Sequence, residues 1–181
     1  PEHVLLTGTP VREEFLFARR QEARRALGLG EEPLVVSCWG SLGAREMNKK
    51  IAQFMKCECD DGNPFYHIHA TGSFGWRWMP QYVKDLGVHL EEHASIDMRE
   101  YIFNMPTCMA AADLIICRAG AATISEVCAS ALPCIMVPSP NVTNNHQEKN
   151  AMVLQGRGAA GVVPEAGCSG KLLFDTAKEI L

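Results

Sequence analysis

The chain has 181 residues, 47% of them hydrophobic and 21% charged, the balance of an ordinary globular protein with one core, or a core and a short extension. The formal net charge is −4 and no Lys/Arg cluster is dense enough to coat a duplex, so a nucleic-acid partner is excluded. No apolar run approaches the roughly 18 residues of a membrane span, and no charged-then-apolar amino terminus marks a secretion signal.

In chain order, Val4-Leu5-Leu6 reads as a strand and Glu13–Leu27 as a helix stopped by Gly28-Leu29-Gly30. Arg19, Arg20, Arg24 and Arg25 recur at helical spacing among Glu13, Glu14 and Glu22, which reads as a solvated helix face. Leu34–Trp39 is a buried strand. Arg45–Cys57 is a helix, with Met47, Ile51, Phe54 and Met55 at helical intervals. Phe65–Ala70 is the next strand, 78–86 a helix ended by Gly87, and Val88-His89-Leu90 a short strand candidate. Helix 107–112, strand Leu114–Cys117, helix 123–131 and strand 134–137 follow. Helix 147–155, strand 161–163 and helix 171–181 complete the chain. Strands alternating with helices predict an α/β fold, a Rossmann-like parallel sheet with helices on both faces. Ligands of such sheets sit beyond the carboxyl ends of the strands.

The eight cysteines fall largely inside apolar runs, as at Cys117 and Cys134, and read as free buried thiols. Cys57-Glu58-Cys59 lacks the two-residue spacer of a zinc knuckle or redox pair. His67 and His69 alternate on one predicted strand and share a face. A metal site joining them to those two cysteines is the lesser reading, and no metal or cofactor is expected.

Four loops are candidates for chemistry. Gly40-Ser41-Leu42-Gly43-Ala44 lies between a strand and a helix, where glycines let backbone approach an anion and Ser41 offers a hydroxyl; a plain tight turn explains it equally. Arg118–Glu126 repeats that arrangement. There Ala121, Ala122 and Thr123 leave N–H groups open to a phosphate, and Glu126 could accept two ribose hydroxyls. Thr123-x-x-Glu126 also has capping-box spacing, an equally good account. Pro138–Asn150 is rich in groups that both donate and accept, suited to a sugar or to a polar surface loop. His146 there reads as a helix-start or surface residue before a base. In Thr7–Arg12, Arg12 is a phosphate clamp or a helix-start residue.

Together these segments resemble the MurG family of bacterial glycosyltransferases. The resemblance is carried, in order, by Thr7-Gly8-x-Pro10-Val11-Arg12, Gly40-Ser41-x-Gly43-Ala44, Ala111–Ala121, Thr123-Ile124-Ser125-Glu126 and Pro138-Ser139-Pro140-Asn141-x-Thr143-x-Asn145-His146-Gln147-x-x-Asn150-Ala151. It runs from about Thr7 to the end of the chain. It implies one half of a GT-B fold, with residues 1–181 as the carboxyl-terminal, UDP-sugar-binding domain. The activity implied is inverting transfer of N-acetylglucosamine from its UDP donor to lipid I, giving lipid II for peptidoglycan. The resemblance implies that Glu126 accepts the ribose hydroxyls, that Arg12 and Ser41 lie by the diphosphate and nucleotide, and that the Ile102 backbone holds the uracil edge. Ala121, Ala122 and Thr123 would face the diphosphate or sugar, and Gln147 and Asn150 the sugar hydroxyls, with His146 beside them. The family's Gly-Gly-Thr-Gly-Gly-His loop does not occur here, so no catalytic base is expected in this chain.

The implied setting is the cytoplasmic face of the bacterial inner membrane, with lipid I and membrane contacts made through an amino-terminal domain outside this sequence and the isolated domain soluble. The chain begins at Pro1 without Met, which favours an excised piece of a longer protein. The rival readings are another GT-B enzyme, such as a UDP-GlcNAc 2-epimerase or a glycolipid glycosyltransferase, and a stand-alone, non-catalytic sugar-nucleotide-binding subunit.

Overall fold

The computed structural model describes residues 3–5 and 7–181. Strands β1 (Leu34–Cys38), β2 (Tyr66–Ala70), β3 (Ile96–Arg99), β4 (Leu114–Cys117), β5 (Cys134–Met136) and β6 (Gly161–Val162) form one sheet in the order β3-β2-β1-β4-β5-β6. Every pairing is parallel. The central strands are covered on both faces, which is why their sequences are near-continuous apolar runs rather than alternating ones. Leu34, Val35, Val36, Leu114, Ile115 and Ile116 are all at most 1% exposed. Each such aliphatic side chain contributes roughly 1.5–3 kcal/mol by leaving water.

Helices α3 (Arg45–Asp60), α5 (Met79–Asp85) and α9 (Gly170–Ile180) bury Met47, Ile51, Phe54, Met79, Val83, Leu173 and Phe174 against one face. Phe54 packs edge-on to Phe174. On the other face lie α1 (Glu13–Phe17), α2 (Arg20–Ala26), α6 (Met105–Ala111), α7 (Ala121–Ala129) and α8 (His146–Gln155), which contribute Phe15, Ala23, Met109, Val127 and Ala151. The short α4 (Ser73–Trp76) follows β2.

Several expectations change. Val4 and Leu5 are exposed and belong to no strand, and Leu6 lies outside the described residues. The first expected helix is two, because Ala18 and Arg19 are extended between α1 and α2. Residues 88–90 do not form a strand: Val88 is buried in a loop and Leu90–Glu92 is a 3-10 turn. The strand is β3, at the sheet edge, where Ile96 is buried and Asp97, Met98 and Arg99 are half-buried.

The arginines of α2 are not all solvated. Arg24 is 8% exposed and donates to the carbonyls of Gly30, Glu32 and Ala111 and to the Asp113 carboxylate. Arg20 donates to Ala112 O at 2.8 Å and to Asp113 at 2.7 Å. Asp113 also accepts from Leu34 N. A planar guanidinium has five donors in a fixed fork, which lets one side chain satisfy the loop before β1 and the turn before β4 at once. The clamp fixes α2, and hence the amino-terminal segment, to the amino ends of the two central strands.

A buried polar chain crosses the other face. Ser37 Oγ lies 2.7 Å from both His67 Nε2 and His69 Nδ1, and His67 Nδ1 lies 2.9 Å from Glu58 Oε2. All four residues are fully buried. The two histidines do share a face, but they bond to Ser37 and Glu58; Cys57 and Cys59 take no part. Among the described residues no group of three or more His, Cys, Asp or Glu side chains is placed to hold a metal.

Burial, aided by neighbouring His67 and opposed by a bond at Ser37, holds the His69 pKa well below its ordinary 6.5. The unfolded chain then binds a proton that the folded chain refuses, so stability falls as pH drops through about 6.5. Glu58, raised by burial, acts in the opposite sense. Denaturant unfolding at pH 7.5 and 5.5 should show a His69-dependent loss of about 1.4 kcal/mol. That loss should be missing in His69→Asn; equal losses in both proteins would mean His69 does not titrate on unfolding.

Candidate functional site

The sheet changes winding direction between β1 and β4, so the loops after these two strands part and leave a cleft. The cleft has a volume of about 380 Å³. It is lined by Arg12, Ser41, Ile102, Thr123, Glu126 and Gln147 from the expected set. Trp39, Gly40, Tyr101, Arg118 and Gly120 join them, with Cys38 and Cys117 also in its lining.

The first wall is the turn after β1. Gly40 and Gly43 both have positive φ, and Gly43 N donates to Gly40 O. The turn is pressed against the loop after β2: a Cβ on Gly43 would meet Thr71 O at 2.0 Å, and one on Gly72 would meet Gly43 N at 2.1 Å. Ser73 N donates to Ser41 O, and buried Asn48 donates to Thr71 O at 2.7 Å. Ser41 is thus exposed on a backbone that its neighbours hold fixed.

The second wall is the start of α7. The helix begins at Ala121 with Gly120 as its N-cap, and no side chain caps it. The capping-box alternative for Thr123-x-x-Glu126 is therefore not formed. Thr123 lies inside the first turn rather than before it, and the Glu126 carboxylate turns to Arg12, 3.9 Å away. The first-turn N–H groups, without a side-chain partner, present the positive end of the helix dipole. Glu126 is partly buried. Burial raises its pKa above the ordinary value and Arg12 pulls it back down.

Arg12 is the N-cap residue of α1, its guanidinium 4.9 Å from the Phe15 ring centre. It is thus both a helix-start residue and a cleft cation. Arg118 is a second cation, largely buried. It donates to Val137 O at 3.0 Å, pairs with Glu165 at 2.5 Å and lies over the Trp39 ring. Arg118 opens the Arg118–Glu126 segment and was not among the expected site residues. Its position directly after a buried strand was the available signal.

The remaining expected residues divide. Gln147 Oε1 accepts from Ser139 N at 3.0 Å. Asn150 donates to Ala119 O at 3.3 Å and stands behind the β4–α7 turn rather than in the cleft lining. His146 is exposed, its ring bonded to Thr143 O, after the left-handed residues Asn144 and Asn145. Ala121 and Ala122 are exposed at the helix end, outside the lining.

Residues 34–181 match the model of the glycosyltransferase family 28 C-terminal domain. The chain is 38% identical over 181 residues to a Desulforamulus reducens protein, covering 99% of this chain and 48% of that one. It is 39% identical over 179 residues to one from Acetivibrio thermocellus, covering 98% and 47%. Both are named UDP-N-acetylglucosamine–N-acetylmuramyl-(pentapeptide) pyrophosphoryl-undecaprenol N-acetylglucosamine transferase. The chain thus spans about half the length of the curated relatives it matches. Among solved structures, it superposes on Acinetobacter baumannii MurG with a TM-score of 0.70 at 24% identity, covering 99% of this chain and 49% of the other. The fold is that of one half of a GT-B glycosyltransferase.

Because Glu126 caps nothing, Glu126→Ala should change unfolding stability by less than about 0.5 kcal/mol. Chemical denaturation checks this; a loss of about 1 kcal/mol, the value of a helix cap, would show that the carboxylate supports α7.

Proposed function

The chain belongs to the glycosyltransferase family 28 C-terminal domain family, and from that premise we propose that residues 1–181 are the donor-binding half of an enzyme transferring N-acetylglucosamine from UDP-GlcNAc to lipid I. The observation that carries the reading is the meeting, in one cleft, of an uncapped helix start, two guanidiniums and a partly buried carboxylate. These are the complements of a diphosphate and a ribose diol. The names of the relatives supply the sugar and the acceptor.

In this reading the N–H groups of Ala121, Ala122 and Thr123 and the Arg12 guanidinium face the diphosphate. They would stabilise the charge that grows on UDP as the glycosidic bond breaks. Glu126, ionised, accepts both ribose hydroxyls. The Ile102 backbone meets the uracil edge and Ser41 the nucleotide. Gln147 borders the sugar, with Asn150 and His146 behind it. The acceptor hydroxyl must be activated by a base from elsewhere in the full-length protein. Lipid I and the membrane would likewise be met by that other half, at the cytoplasmic face of the inner membrane. No helix of the described residues is long and apolar enough to cross a membrane.

Calorimetry on the chain should show tighter binding of UDP-GlcNAc than of ADP-glucose, and Glu126→Ala should weaken UDP-GlcNAc binding by about 1.5–3 kcal/mol. Since burial raises the Glu126 pKa, affinity should begin to fall on acidification at a pH above the ordinary carboxylate value. Equal affinity for the two nucleotides, or no loss in the variant, would overturn the reading.

A further inference from the structure

Two cysteines line the floor of the cleft, and neither takes part in the donor chemistry just described. Cys38 ends β1 and Cys117 ends β4, and the two are direct partners in the parallel register. Registered residues on adjacent parallel strands point to the same side of the sheet. Both side chains pack with the cluster that includes Val36, Ile115 and Met136, and both line the cleft. Neighbouring strands lie about 4.7–4.9 Å apart, which sets the approximate separation of two parallel side chains. A zinc–thiolate bond is about 2.3 Å; with bonds of that length a linear sulfur–metal–sulfur unit spans about 4.6 Å. The two lengths are of the same order.

We propose that Cys38 and Cys117 form a two-coordinate site for a soft monovalent cation, Cu⁺ or Ag⁺, in the floor of the cleft. Soft thiolates select such ions. Among the described residues no third or fourth His, Cys, Asp or Glu completes the set, which disfavours tetrahedral zinc. Both cysteines are free thiols in the structure.

Burial raises the Cys38 pKa to about 12, with the Glu126 charge adding to it, and raises that of Cys117 well above 9. Both are therefore poor nucleophiles until a metal displaces their protons. Binding forms two S–metal bonds, releases two protons to solvent and leaves a net charge of −1, with no change of oxidation state. Arg12 and Arg118, on the cleft walls, offset that charge, and their carboxylate partners Glu126 and Glu165 oppose it.

The test is Cu⁺ binding by the whole chain in competition with a chromogenic Cu⁺ chelator, with X-ray absorption counting the sulfur neighbours. The tightest site should hold one Cu⁺ with two sulfurs. Cys38→Ser and Cys117→Ser should each weaken it at least about 100-fold, more than the loss of a merely supporting residue. Cys128→Ser, at an exposed thiol, should leave it unchanged. Circular dichroism of each variant separates loss of the site from loss of the fold. A folded Cys38→Ser chain that holds Cu⁺ as tightly as the parent, or three sulfurs around the ion, would overturn the proposal.

Discussion

The reversal of winding between β1 and β4 is the constraint on which the rest of this structure depends. Parallel strands need crossovers, and crossovers are right-handed. The chain therefore leaves β1 toward one face through α3 and leaves β4 toward the other through α7. Their first turns diverge, and the space between them cannot be filled by either connection. Both walls of the cleft are thus products of topology, and each ends in small residues because backbone itself is the lining. Gly43 and Gly72 show how little room there is, since a single methyl on either would strike backbone of the facing loop.

Topology alone does not bring Arg12 to the cleft. That side chain comes from a segment outside the sheet, and its placement rests on the guanidinium clamp of Arg20 and Arg24 at the opposite end of β1 and β4. Asp113 ties the two strands' amino ends to this clamp, so the segment bearing Arg12 and the turn bearing Glu126 are referred to the same pair of strands. The 3.9 Å approach of Arg12 to Glu126 is the outcome. Arg12 and Arg118 are each matched by a carboxylate, Glu126 and Glu165, so the positive end of α7, without a side-chain cap, is the part of the cleft that favours an anion in a chain carrying a charge of −4.

The strands that were legible in the sequence were those buried on both faces, where burial forces an uninterrupted apolar run. β3 was not, because an edge strand needs only one covered face, and Ile96-Asp97-Met98-Arg99 alternates too briefly to stand out; Val88, buried in a loop, took its place. The five ordered segments led to the cleft, and six of the ten residues expected there line it. Local spacing left Thr123-x-x-Glu126 open. It fits a capping box, but Ala121 and Ala122 extend the helix one turn earlier and Gly120 can serve as N-cap without a side chain. Long-range partners were out of reach altogether. Arg24 looked like one of a solvated row because its partner Asp113 lies 89 residues away, and nothing near His67 and His69 in the sequence pointed to Ser37 and Glu58 as their partners.

The proposed donor mode puts the diphosphate at the uncapped start of α7. A larger cavity, about 600 Å³, lies beyond Ser139 between Lys50, Glu148 and Glu165, and it offers a competing location on the same end of the sheet. Backbone amide NMR shifts during titration with UDP separate the two directly. The largest changes should fall on Ala121, Ala122 and Thr123, with Ser41 and Ile102 following at the same ligand concentration. Changes centred on Ser139, Glu148 and Glu165, with the α7 amides unmoved, would contradict the account.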